Sequence, residues 1–276
     1  MAGRGGQAAV DPAALRSPRM VAFFGRVMAR HMARRFHGVR VARPGVPTLP
    51  EDRPAVIYCN HPSWWDAAFL MVLQSTGFPG RHGFGPIDAA AIGQYGFMRR
   101  IGLFPIELDT RSGAATFLRT ATALLRDART ILWVTAEGHF TDPRRRPVRL
   151  RGGVAHLAAR LDRGVVVPLA IEYPFWTESA PEALASFGPP IQIADHRSLG
   201  VADWQALLER RLEAEMDCLA GLSMDRSADA FVPLLEGRAG VGGVYDLWRR
   251  GRAWARGKRF DPAHGDHRRL PDGRSR

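Results

Sequence analysis

The chain is poor in cysteine and nearly devoid of lysine. Cys59 and Cys218 are the only two cysteines in 276 residues, which excludes a disulfide framework and a metal site built on paired thiolates. That usage suits a reducing compartment. Cys59 lies beside a histidine, but its apolar strand setting assigns it to packing rather than to nucleophilic chemistry. No apolar run approaches the roughly 18 to 20 residues that a spanning helix needs, and the N-terminus holds no continuous apolar signal core. Zinc-ligand spacings and the aromatic signatures of RNA-binding modules are missing, and so is the G-x-S-x-G elbow of a serine hydrolase.

Positive charge is what the chain has in excess. Its formal net charge is +12 and its pI about 11.1, carried almost wholly by arginine, with Lys258 the single lysine. Such a surface attracts polyanions, and both nucleic acid and an anionic membrane qualify. Charge alone therefore describes a basic nucleic-acid- or membrane-binding protein without catalysis, although codon composition produces the same Ala, Gly and Arg abundance. With 46% hydrophobic residues, the length favours one main domain with a sizeable core.

The organising stretch is Val56-Ile57-Tyr58-Cys59-Asn60-His61-Pro62-Ser63-Trp64-Trp65-Asp66. An apolar strand ends at Asn60, and a helix is expected to carry Asp66 in its first turns, opened by Pro62. On one continuous helix, five residues would turn His61 and Asp66 roughly 140° apart. A strand-to-helix switch lets Asp66 reach back to one imidazole nitrogen, which fixes the tautomer and frees the other nitrogen to take a proton. The bland alternative is a histidine near a helix start and a solvated first-turn acid.

Around this stretch the pattern alternates strands and helices. Residues 1 to 17 are rich in Gly, Ala and Pro and are expected to be poorly ordered. Residues 18 to 42 are assigned to an amphipathic helical segment, with Met20, Phe24, Val27, Met28, His31 and Met32 on one face and Arg26, Arg30 and Arg34 on another. Such a helix either lies in a membrane interface or packs on its own domain. Further strands are expected at Leu103 to Leu108, Thr130 to Ala136, Val165 to Ile171 and Pro189 to Ile193. Helices are expected at Trp65 to Thr76, Gly113 to Asp127 with Ser112 as its cap, Gly153 to Leu161 and Val201 to Leu222, with short helical pieces near Ile87 to Ile92 and Tyr95 to Arg100. This is an α/β fold, a mostly parallel central sheet with helices on both faces. The main domain is placed at 43 to 236 and a basic tail at 237 to 276.

Three groups besides His61 and Asp66 are placed to touch a ligand. Arg111 stands between a strand end and a helix start, where a guanidinium and helix amides favour the same anion. Glu137 leaves the end of the apolar strand from Thr130, so an open α/β sheet brings it towards His61. The run Arg144, Arg145, Arg146, Arg149 and Arg151 is either a phosphate grip or a solvated surface. Trp64 and Trp65 line a channel for an apolar ligand or belong to the core.

His61, four residues and Asp66 after an apolar strand resemble the catalytic motif of the glycerolipid and lysophospholipid acyltransferase family. Gly102-Leu103-Phe104-Pro105-Ile106-Glu107 is similar to that family's second block, Glu137-Gly138 to its third, and Val167-Pro168-Leu169-Ala170 to its fourth, in the same order. The resemblance implies acyl transfer from acyl-CoA or acyl carrier protein to a hydroxyl of a lipid acceptor, with His61 as general base and Asp66 steadying the imidazolium. It places Glu137, Gly138 and Pro168 at the substrates, beside Arg111, Arg144 and Arg145, which are either anion-binding or solvated surface, with no metal or other cofactor. It also implies that helices ahead of the motif bring the enzyme to lipid, so a cytoplasmic protein, peripheral on the inner face of the membrane, is expected, with no specific nucleic acid as partner. Two departures stand out. The third block normally carries Arg two residues after its glycine, to bind the acceptor phosphate, and here Phe140 holds that position. The second block often reads Phe-Ile-Asp-Arg, against Phe104-Pro105-Ile106-Glu107. An acceptor without glycerol phosphate, such as a glycolipid, terpenoid or amino lipid, is thus the alternative.

Overall fold

The computed structural model describes residues 11–94 and 96–237. In chain order the helices and strands are α1 (Pro12–Leu15), α2 (Pro18–Arg35), β1 (Gly38–Ala42), β2 (Ala55–Cys59), α3 (Asp66–Gly77), β3 (His82–Asp88), α4 (Ala89–Gln94), β4 (Leu103–Ile106), α5 (Arg111–Leu124), β5 (Thr130–Thr135), α6 (Gly153–Ala158), β6 (Val165–Glu172), β7 (Glu182–Phe187), β8 (Ile191–Gln192), α7 (Val201–Asp225) and β9 (Phe231–Glu236). The strands form one sheet in the order β4-β3-β5-β2-β6-β7-β1-β9, with β8 paired to β6. From β4 to β6 every neighbouring pair is parallel. Beyond β6 the direction reverses, and β9 reverses again against β1.

The central strands are apolar because both of their faces are covered. In β2, Val56 and Tyr58 point into a core shared with α5, α6 and α7, while Ala55, Ile57 and Cys59 point into a second core against α2 and α3. Each large side chain fully buried here contributes about 1.5–3 kcal/mol, and Tyr58 satisfies its hydroxyl by donating to the Leu208 carbonyl of α7 at 3.0 Å. The expected α/β fold, a mostly parallel central sheet with helices packed on it, is therefore observed, as a mixed nine-stranded sheet.

Several boundaries differ from expectation. The N-terminal helix stops at Arg35, and residues 38–42 are strand β1, held between β7 and β9. Met32 and Phe36 are 0% and 1% exposed, so one face of α2 is core. Within residues 11–17, Asp11 caps α1 and Ser17 donates its N–H to the Arg100 carbonyl. Residues 1–10, Tyr95 and the tail expected from 237 onward, apart from Gly237, lie outside the described residues. Ile87 belongs to β3 and pairs with Pro105, so helix begins only at Ala89. Thr110, not Ser112, caps α5, accepting the Gly113 N–H at 2.9 Å. Strands β7 and β9 were not expected: Glu, Ala and Leu in β7 favour helix, and Pro233 argues against a strand, but sheet burial and an edge position override both preferences.

Candidate active site

The parallel strands β5, β2 and β6 lie side by side, with Cys59 level with Thr135 on one flank and Leu169 on the other. Ligands of open α/β sheets bind beyond such carboxyl ends. Backbone pairing stops at Cys59, and the next residue takes over with its side chain. The Asn60 amide donates to the Ile171 carbonyl at 2.9 Å and accepts the Ile171 N–H at 2.8 Å. Asn60 is 0% exposed, so this latch satisfies the β6 backbone while the β2 chain turns out of the sheet.

His61 follows immediately. Its Nδ1–H donates to Asp66 Oδ2 at 2.6 Å. Pro62 does not open the helix as expected; α3 starts at Asp66, with Trp65 as a cap residue that makes no side-chain bond. The reason lies in the carboxylate, which folds back over the turn and accepts the Ser63 N–H at 3.2 Å. Asp66 Oδ1 accepts a hydrogen bond from the Tyr173 hydroxyl at 2.8 Å. A carboxylate that is 0% exposed is tolerated because three donors, together with the positive end of α3, replace water.

Glu137 is brought to His61, but by its main chain. Glu137 Oε2 accepts the His61 N–H at 2.7 Å, and Thr141 N–H donates to the His61 carbonyl at 2.9 Å, so the turn after β5 grips the histidine peptide on both sides. Burial raises the Glu137 carboxyl above its usual range, and the His61 N–H opposes that rise. Gly138 adopts φ +72°, a left-handed conformation that favours glycine, and a Cβ there would push aside the flexible Arg151 side chain. Phe140 lays its ring 4.5 Å from the His61 ring, centroid to centroid, and remains 60% exposed. Trp65 packs on His31 and Phe36 as core, whereas Trp64 is exposed.

The arginines separate into two groups. Arg144 binds Asp142 through two hydrogen bonds, Arg146 reaches Asp217 and Arg149 reaches Glu209 on α7, and Arg151 pairs with Asp109. Much of this run is thus a set of staples, although Arg144 also borders a cavity of about 50 Å³ lined by Asn60, Ile171, Glu172 and Met216. Arg145 and Arg111 are exposed and make no ion pair with a described residue. Pro168 stands apart from the histidine, buried in mid-strand opposite Tyr58.

The structure brings the expected His61, Asp66 and Glu137 together, and it adds two contacts that sequence reasoning did not anticipate, Tyr173 on Asp66 and the latch by Asn60. Neither has a local signal, because their partners lie 107 and 111 residues away. Among the described residues no three His, Cys, Asp or Glu side chains converge as metal ligands. The arrangement holds one imidazole, 22% exposed, with a buried acid behind it, which is a geometry for moving a proton at Nε2. No curated protein matches the chain. A family model described as Acyltransferase matches residues 33–172, a span running from the end of α2 to the end of β6 and including His61, Asp66 and Glu137. The chain belongs to that family, the glycerolipid acyltransferases, and is an acyltransferase.

Proposed function

We propose that the protein transfers an acyl group from the thioester of acyl-CoA or acyl carrier protein to a hydroxyl of a lipid acceptor, with His61 as general base. Nε2 removes the hydroxyl proton as the oxygen attacks the thioester carbonyl. Asp66 holds the Nδ1–H tautomer and offsets the charge of the imidazolium, and the thiol leaves with a proton returned from Nε2. No covalent enzyme intermediate is needed. The observation that carries this reading is the 2.6 Å bond from His61 to a wholly buried Asp66. Arg111 and Arg145 are the exposed cations we assign to the anionic donor.

The acceptor we favour lacks a phosphate monoester. Phe140 lies against the His61 ring at the position where the family pattern places an arginine, and an aromatic ring favours the apolar body of a lipid over a dianion. The enzyme works at an anionic bilayer, a reading supported by the solvent face of α2, where Arg19, Arg26, Arg30 and Arg34 flank the exposed Phe23. No helix among the described residues is long and apolar enough to cross a membrane. The test is incubation of the purified protein with labelled acyl-CoA, or with acyl carrier protein carrying the same chain, and a total lipid extract, followed by identification of the product. Turnover that needs His61 supports the proposal; equal turnover by a folded His61→Ala protein ends it.

A further inference from the structure

The two oxygens of Asp66 face different partners. Oδ2 serves the base, taking His61 Nδ1–H and the Ser63 N–H. Oδ1 serves no part of the catalytic loop. Its partner is the hydroxyl of Tyr173, 2.8 Å away, on the residue that follows β6. The ring of Tyr173 is set against Phe36 at 5.6 Å and Phe69 at 6.3 Å between centroids. Phe36 in turn packs edge-on against Trp65, the residue before Asp66. The end of the N-terminal helix therefore braces both the phenol and the turn that carries the acid.

Resting on the reading of His61 as general base, we infer that Tyr173 is a positioning residue for acyl transfer, fixing the plane of the Asp66 carboxylate and sharing its charge. An aspartate carboxylate turns readily about its last torsion, whose preferences are broad. Anchoring Oδ1 to a rigid ring leaves Oδ2 aimed at Nδ1. The hydroxyl also sets how strongly Asp66 leans on the imidazolium. A donor on Oδ1 draws off part of the negative charge, so the base releases its proton to the leaving thiolate more easily than it would against a carboxylate with fewer partners. No proton passes through Tyr173. Burial, followed by the charge of Asp66, pushes its phenol well above the ordinary value, so it stays protonated and acts only as a donor.

The sign of the effect follows. Losing the hydroxyl concentrates charge on Oδ2, stabilises the imidazolium and moves the acid limb of the pH–rate profile to higher pH. A stronger donor moves it to lower pH. The experiment uses the full chain with acyl-CoA and the lipid extract, comparing wild type, Tyr173→Phe, Tyr173→Ala and protein carrying 3-fluorotyrosine at position 173. In Tyr173→Phe we expect kcat to fall by about ten- to a hundredfold, the scale of one hydrogen bond to a charged group, with KM for acyl-CoA unchanged and the acid limb raised. The fluorinated protein should show a lowered acid limb. Tyr173→Ala should lose thermal stability as well, and Tyr173→Phe should recover the stability without recovering the rate. A purely structural tyrosine would regain both in Tyr173→Phe, and that result overturns the inference. If Tyr173→Phe does not fold, an unmoved acid limb in the fluorinated protein overturns it instead. His61→Ala and Asp66→Asn run in parallel separate the two claims. Normal turnover in those variants removes the general-base reading itself, whereas their inactivity beside a fully active Tyr173→Phe removes only the role of Tyr173.

Discussion

Glu137 accepts the backbone N–H of His61 at 2.7 Å, so this acid holds the histidine by its peptide while Asp66 holds it by its ring. Beside the expectation that Glu137 lies at the substrates, this contact supports a proposal in which Glu137 locks the loop. Removing the carboxylate leaves a backbone donor without a partner, at a cost of about 1–3 kcal/mol. Glu137→Ala should therefore lose both urea stability and turnover, and Glu137→Gln, which keeps an oxygen acceptor, should lose less of each. Unchanged unfolding with a raised KM for the acceptor would return Glu137 to the role of substrate ligand.

His61→Ala should reduce turnover by about 10²- to 10⁴-fold and leave the circular dichroism spectrum unchanged, because the imidazole is at the rim of the core. Asp66→Asn differs. It places an amide among three donors that suit a carboxylate, so we expect it to lose thermal stability as well as rate. The comparison of melting temperatures between the two variants checks this.

What could be read from the sequence was what each residue's own neighbourhood decides. Ala55 to Cys59, Thr130 to Thr135 and Val165 to Ile171 are runs of apolar residues because each is buried on both faces, and that pattern survives without knowledge of partners. The switch from strand to helix around His61 is equally local. Strands β1, β7 and β9 were not legible, since Gly38-Val39-Arg40-Val41-Ala42 owes its strand state to neighbours more than a hundred positions away, Glu182 to Ala185 and Phe231 to Glu236. The arginine run shows the same limit: as a string it is a charge patch, and only the position of Glu209 and Asp217 on α7 turns Arg149 and Arg146 into staples.

Glu172 gives a pH dependence that can be measured apart from catalysis. Burial raises its carboxyl above the ordinary value, opposed by a hydrogen bond from Ser223 and the charge of Arg144. An acid with a raised folded-state pKa binds more protons in the folded state than in the unfolded one. Its contribution to stability is thus greatest below the unfolded value of about 4.3 and is lost as pH rises from there to the raised folded value. Glu172→Gln should flatten that part of the profile and keep an oxygen towards Ser223. Urea midpoints across this window in both proteins test it, and equal slopes would contradict the assignment.

The membrane reading cannot be tested by deleting the N-terminal helix, because Met32 and Phe36 belong to the core. Its solvent face can be changed alone. Each arginine near an anionic surface is worth about 1 kcal/mol, so converting Arg19, Arg26, Arg30 and Arg34 to Gln together should weaken flotation with anionic vesicles by nearly a thousandfold at low salt. The difference should shrink at high salt. Equal flotation of the folded variant would make α2 a structural helix only.

We propose that the acceptor is selected at Phe140. Its ring lies 4.5 Å from that of His61, and a guanidinium at the same place would supply a charge-assisted bond to a phosphate of about 1.5–3 kcal/mol, roughly ten- to a hundredfold in binding. We therefore expect Phe140→Arg to improve the use of lysophosphatidic acid by that factor relative to neutral or sugar-bearing lipids, while the wild type prefers the latter. Arg111 and the arginines from Arg144 onward offer the competing explanation, in which a distant cation already serves the phosphate. Of these, Arg144 and Arg146 are tied to Asp142 and Asp217, so Arg111 and Arg145 are the ones to remove. A competition assay with both classes of acceptor, run on wild type, Phe140→Arg, Arg111→Ala and Arg145→Ala, separates the cases. Loss of lysophosphatidic acid use in Arg111→Ala or Arg145→Ala would identify the substitute cation. Wild-type preference for lysophosphatidic acid, undiminished in both alanine variants, would mean that the ring beside His61 does not select the acceptor.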